Sequence, residues 1–148
     1  MSADRAGFRV RPYEARDLDE WRRMRFLLWP DQGPDDLNAW RARVDGVILV
    51  AERAGGGLCG FAEAGARAFA EGCTTAPVAY LEGWWVDADV RRRGVGAALL
   101  AAVEDWARLA GYRELGSDAD VDNRVSHAAH AALGFTDVGR QVLFRKDL

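Results

Sequence analysis

Val78-Ala79-Tyr80-Leu81-Glu82-Gly83-Trp84-Trp85-Val86 is followed closely by Arg91-Arg92-Arg93-Gly94-Val95-Gly96-Ala97 and then by an Ala/Leu-rich run to Ala110. The first stretch is the longest strand signal in the chain, dense in β-branched and aromatic residues. The last reads as a long helix. Between them Gly94 and Gly96 carry no side chain that could block a ligand. The opening amides of a helix lack internal acceptors, and the helix dipole adds positive potential, so strand, glycine turn and helix make an anion site. Arg91, Arg92 and Arg93 add charge at its mouth. A basic turn capped by glycines is the plainer alternative. A Walker loop would need Gly-x-x-x-x-Gly-Lys-Ser/Thr, which is absent. The dinucleotide fingerprint fails because Leu99 stands where its third glycine belongs.

Working outward, Phe8-Arg9-Val10-Arg11 alternates and meets Pro12, which predicts an edge strand. Leu18, Trp21, Arg25 and Leu28 recur at helical spacing, and Trp29-Pro30 ends that helix. Pro34-Asp35-Asp36 opens a second helix carrying Leu37, Trp40 and Val44. Val47 to Ala51, a Gly55-Gly56-Gly57 turn and Cys59 to Glu63 read as a hairpin. Leu115-Gly116-Ser117 is a short strand, Arg124 to Leu133 a helix stopped by Gly134, and Val142-Leu143-Phe144 a closing strand. The order β-α-α-β-β-β-α-β-α-β predicts an α/β fold, a mixed sheet flanked by about four helices.

At 148 residues the chain fits one domain spanning 1–148, with no repeat or linker to divide it. Hydrophobic residues make up 49% and charged residues 29%, a globular profile. Twenty basic against 23 acidic residues give a net charge of −3, which argues against nucleic acid and suits a small or cationic partner. The longest apolar run, from Gly94 to Val103, is shorter than a membrane span needs. Cys59 and Cys73 cannot make a disulfide framework. With the polar start Met1-Ser2-Ala3-Asp4-Arg5, they predict a reduced, cytoplasmic protein without a secretory leader.

Several side chains are candidates for chemistry. Glu82 interrupts an apolar strand; by strict alternation it shares a face with Tyr80 and Trp84. It either faces water at an edge or lines a cleft, since an unpaired buried carboxylate is costly. Asp118 ends the short strand as a turn residue or as a second site carboxylate. Asp118-x-Asp120-x-Asp122 resembles a calcium loop, but Asn123 and Ala129 stand where a glycine and a carboxylate are required, so no metal is expected. His127 and His130 lie three apart, unlike the His-Glu-x-x-His zinc helix. Trp21 and Trp40 fit helix core positions. There is no Gly-x-Ser-x-Gly elbow and no cysteine with an obvious local base.

Arg91-x-x-Gly94-x-Gly96 resembles the acetyl-coenzyme A pyrophosphate loop of the GCN5-related N-acetyltransferases. Trp29-Pro30, Gly72-Cys73, Tyr80-Leu81-Glu82-Gly83, Ser117-Asp118 with Asn123, Ala132-Leu133-Gly134-Phe135 and Phe144-Arg145-Lys146 stand in the order seen in aminoglycoside 6′-N-acetyltransferases. The resemblance covers nearly the whole chain. It implies acetyl transfer from acetyl-CoA to the 6′-amino group of an aminoglycoside, by direct attack within a ternary complex. It assigns acetyl-CoA to Trp84, Trp85, Val86, Arg91, Arg92, Arg93, Gly94, Val95, Gly96, Ala97 and Asn123. The acceptor falls to Trp29, Phe69, Glu82 and Asp118, with Glu82, Asp118 and His130 as catalytic candidates. His130 stands where the superfamily often presents a tyrosine to the coenzyme sulfur; an imidazole can donate a proton near neutrality. Two alternatives keep the fold: an acetyltransferase for another small amine or a protein amino group, and a CoA-binding module without turnover. The resemblance also implies a homodimer.

Overall fold

The computed structural model describes residues 7–33 and 35–148. Five strands make one mixed sheet in the order β1 (Phe8–Pro12), β2 (Gly46–Arg53), β3 (Leu58–Arg67), β4 (Val78–Val86) and β5 (Leu115–Ser117). The first three pairings are antiparallel, and β4 pairs with β5 in parallel. Four helices cover it: α1 (Leu18–Leu28), α2 (Asp35–Ala42), α3 (Val95–Leu109) and α4 (Arg124–Ala132). A parallel pair needs a crossover, and α3 supplies it between β4 and β5.

The central strands are buried on both faces, which is why they read as continuous apolar runs rather than clean alternation. Leu49, Ala51, Ala62, Ala64 and Leu81 meet Val95, Leu99, Leu100 and Val103 of α3. Val50, Leu58 and Phe61 on the other face meet Trp21 and Met24 of α1, with Leu37 and Trp40 of α2 packed alongside. Trp21 and Trp40 thus take the core positions expected of them.

One buried position is polar. Glu63 sits mid-β3, fully buried, on the α1 face. Both of its oxygens accept from Arg25, which donates through Nε and, at 3.0 Å, through a terminal guanidinium nitrogen. Trp21 Nε1 donates to it at 2.9 Å. Arg25 is itself only 5% exposed. The spacing that put an arginine on the inner face of α1 therefore has a partner, Glu63, the residue that closes the strand read from Cys59.

Three expectations need correction. Val142, Leu143 and Phe144 form no strand: residues 135–148 have no regular secondary structure, and these three side chains are exposed. Among the described residues no strand pairs with them; β5 stops at Ser117 and lies at the sheet edge. Val44 is not on a helix face; α2 ends at Ala42 and Val44 is fully exposed. Pro34, expected to open α2, lies outside the described residues. The third correction concerns Glu82. Leu81 pairs with Ala64 and Gly83 with Glu63, so Glu82 is an extra residue, a bulge in β4. It shifts the period: Leu81 and Trp84 both pack on the α3 side, and Trp85 on the α1 side. Glu82 therefore does not share a face with Trp84.

Glu63→Gln keeps the shape of the side chain but leaves the Arg25 guanidinium buried without its counter-charge. Urea unfolding should register a loss of ~3–5 kcal/mol. Replacing both residues by methionine should return much of it, because desolvation of the ion pair is then avoided. A loss below ~1 kcal/mol in the single variant would mean that the guanidinium finds water or another partner.

Candidate active site

β4 and β5 pair only at Ala79 with Leu115, Tyr80 with Gly116 and Leu81 with Ser117. From Glu82 to Val86, β4 runs on with no β5 residue opposite, and its edge is open to a guest chain. The slot begins at Glu82 and Asp118 and leads toward the start of α3.

That start is firmly anchored. Asp87 donates its backbone N–H to the Cys59 carbonyl at 2.8 Å, and its carboxylate accepts from Arg23, Arg53 and Trp85. Burial raises the Asp87 pKa, but the bonds to Arg23 and Trp85, the Arg23 charge and the Arg53 bond outweigh it, so the net shift is downward. Arg91 Nε donates to the Val86 carbonyl at 3.0 Å, and its guanidinium lies 5.2 Å from the Trp85 ring. Arg92 (φ 63°) and Gly94 (φ 87°) are both left-handed, turning the backbone back on itself; such turns make anion-binding concavities. Ala98 N–H is bonded to the Gly94 carbonyl at 3.0 Å. The amides of Val95, Gly96 and Ala97, ahead of it, have no acceptor within the helix. Arg92 and Arg93 are exposed beside them. A Cβ at Gly94 would meet nothing, whereas one at Gly96 would lie 3.3 Å from Trp84. Gly96 thus admits the Trp84 indole, whose Nε1 donates to the Gly96 carbonyl at 3.2 Å. The loop residues fit a diphosphate: free amides, left-handed turns and two uncommitted arginines.

At the other end of the slot stand the carboxylates. Glu82 accepts two 2.7 Å bonds from Arg67. The Arg67 guanidinium lies 3.5 Å from the centre of the Tyr80 ring. The Tyr80 hydroxyl donates to Asp118 Oδ2 at 2.6 Å. Burial, then the Asp118 bond and charge, push the Tyr80 phenol well above its usual range, so it stays a donor. Trp29 closes the side, its ring edge filling the space a side chain at Gly83 would need. The Arg25 guanidinium sits 4.8 Å from that ring.

His130 meets this group from α4. Its ring packs edge-on to Trp84 at 5.3 Å and to Phe135 at 4.9 Å. Nδ1 is 2.7 Å from the Ser126 carbonyl, which can only accept, so Nδ1 carries the proton. Nε2 is 2.8 Å from the Ser117 hydroxyl. In the neutral ring the hydroxyl donates to Nε2; in the imidazolium the direction reverses.

The structure thus brings Glu82, Asp118, His130 and Trp84 around the point where β4 and β5 part, with residues 91–97 at the far end of the open edge. Trp85 is directed away from the slot, against Asp87. Asn123 caps α4, accepting from the Ser126 amide at 3.1 Å. Phe69 lies in the loop after β3 and is 66% exposed. Sequence reasoning missed Arg67, Tyr80 as a hydroxyl donor, and Ser117. The lost signal lay in the pairing of β3 with β4: Arg67 stands opposite Val78, and its long side chain reaches along the ladder to Glu82.

The Acetyltransferase (GNAT) family model matches residues 15–135. The aminoglycoside N(6′)-acetyltransferase type 1 of Klebsiella aerogenes is 42% identical over 147 residues, 94% of this chain and 96% of that protein. The protein of the same name from Stenotrophomonas maltophilia is 41% identical over 94% of this chain and 93% of its own length. Among solved structures, the aminoglycoside 6′-N-acetyltransferase AAC(6′)-Ih of Acinetobacter baumannii superposes with a TM-score of 0.89 at 34% identity, covering 96% of this chain and 99% of that one. AAC(6′)-Iy in complex with the bisubstrate analogue CoA-S-monomethyl-acetylneamine gives 0.88 at 34%, covering 95% and 99%. With a family model spanning most of its length and relatives this similar end to end, the chain belongs to the GNAT family of acetyltransferases.

Proposed function

We propose that the protein transfers the acetyl group of acetyl-CoA to the 6′-amino group of aminoglycosides, and so confers resistance to them. The observation that carries this reading is the pair Glu82 and Asp118 at the mouth of a slot that ends in an anion-binding loop. An acceptor with several ammonium groups needs more than one carboxylate, and a bare coenzyme-binding module needs neither. The named relatives and the bisubstrate complex of AAC(6′)-Iy support the same acceptor and donor.

Acetyl-CoA supplies the activated thioester. The amides of Val95, Gly96 and Ala97, with Arg92 and Arg93, hold its diphosphate, and the open edge of β4 beyond Leu81 binds its extended arm by strand-like hydrogen bonds. Glu82 and Asp118 hold the amine, and Glu82 helps a water take the proton that the ammonium must lose before attack. His130 provides the proton for the departing thiolate. With Nδ1 committed to the Ser126 carbonyl, its proton leaves through Nε2 and the Ser117 hydroxyl.

Among the described residues no helix is long and apolar enough to cross a membrane. The free thiols Cys59 and Cys73 support a cytoplasmic location, which cell fractionation tests. The exposed Val142, Leu143 and Phe144 support a homodimer, in which a second copy covers them. Sedimentation of the purified protein at monomer mass would remove that part of the reading.

The decisive assay gives the purified protein acetyl-CoA and kanamycin and locates the acetyl group on the product. Acetylation of the 6′-amine is expected; no turnover of any aminoglycoside overturns the proposal. Glu82→Gln and Asp118→Asn each remove a charged hydrogen-bond acceptor and should raise the aminoglycoside KM about tenfold or more, with acetyl-CoA affinity nearly unchanged. Equal kinetics in either variant would take that residue out of the acceptor site.

His130→Phe should lower kcat about 10–100-fold. Only the imidazolium carries the Nε2 proton that the thiolate would take. A Phe variant with the parent's kcat leaves His130 no acid role.

A further inference from the structure

Arg67 is the one cation that touches the carboxylates of this site among the described residues. It holds both oxygens of Glu82 at 2.7 Å, whereas Asp118 accepts only from the neutral Tyr80 hydroxyl and pairs with no cation among those residues. The two carboxylates are therefore unequal. An arriving ammonium meets an open negative charge at Asp118 and an already neutralised one at Glu82.

The Arg67–Glu82 pair is also built to open. The two side chains keep 41% and 22% of their surface in water, unlike Arg25 and Glu63 at 6% and 0%. A pair that exposed contributes little to stability and is readily exchanged. The guanidinium carbon lies 3.5 Å from the centre of the Tyr80 ring, a cation–π contact that needs no carboxylate. Glu82 in turn projects from a bulge, so its direction comes from the β4 backbone and not from Arg67.

We propose that Arg67 is a specificity-determining residue: it stands in the ammonium subsite of Glu82 as an internal cation, and only an acceptor with at least two ammonium groups displaces it efficiently. One ammonium settles on Asp118. The second then competes with Arg67 for Glu82 at close range, where its effective concentration is high. A single ammonium has no such foothold. It either stops at Asp118 or competes unaided with a tethered guanidinium. The device discriminates against ordinary monoamines without any steric wall. It rests on the acceptor site proposed above and adds the rule by which that site chooses.

The test uses two acceptors that each carry a 6-amino group on a hexose: neamine, a polycation whose hexose bears a second amine, and 6-amino-6-deoxyglucose, with one ammonium. Arg67→Met keeps the length of the stem and removes the charge. Calorimetry without acetyl-CoA and steady-state KM should both show tighter 6-amino-6-deoxyglucose binding, by about fivefold, with a smaller gain for neamine. Neamine binding should also weaken more steeply with salt than in the parent, since one more carboxylate is free. Arg67→Lys restores the cation and should return the preference toward the parent's. An unchanged preference in Arg67→Met, or weaker binding of both acceptors, overturns the proposal. So does a collapse of kcat at constant KM, which would make Arg67 a residue that orients Glu82. If the parent does not act on neamine, the acceptor reading itself fails and takes this inference with it.

Discussion

One extra residue in β4 decides where the site residues of that strand point. Without the bulge at Glu82, strict alternation would place Leu81 and Trp84 on opposite faces. With it, both meet α3, and the Trp84 indole reaches the Gly96 carbonyl and the His130 ring. Gly83 turns to the α1 face, where it makes room for Trp29. Trp85 follows, and ties the end of the strand to Asp87. Glu82, at the bulge itself, is held by Arg67 and keeps 22% of its side chain in water.

The bulge has a counterpart across the ladder. Glu63 pairs with Gly83, and its buried carboxylate holds Arg25, whose guanidinium lies against Trp29. Bulge, buried ion pair and site aromatic are thus consecutive contacts of one structure. Asp87 does the same service at the far end, tying α1 through Arg23 and β2 through Arg53 to the strand end before the anion loop. The two ends of the slot are held by charges of opposite kinds of environment: one pair sealed from water, one hub at the rim.

Local features of the chain were legible and non-local ones were not. The limits of β4 and β5 and the helix after Gly94 all follow from patterns within a few residues. So did the anion loop, because a strand, two glycines and a helix are contiguous. The bulge left no mark, since a single added residue changes neither composition nor hydrophobicity; it shows only in the pairing of β3 with β4. The partners that depend on that pairing were hidden with it: Arg67 is fifteen positions from Glu82, and Arg25 is thirty-eight from Glu63. The closing strand failed for a related reason. Val142-Leu143-Phe144 has strand character, but a strand also needs a neighbour, and the described residues offer it none.

Neither edge strand, β1 nor β5, is a good template for aggregation. β1 ends in Pro12, which cannot donate to a ladder, and its outward arginines, Arg9 and Arg11, are tied to Glu52. β5 is three residues long, too short to recruit a stranger's backbone on hydrogen bonds alone. A strand that joins there must bring side chains of its own to be held, and indiscriminate stacking of copies into a growing ribbon is disfavoured at both of these strands.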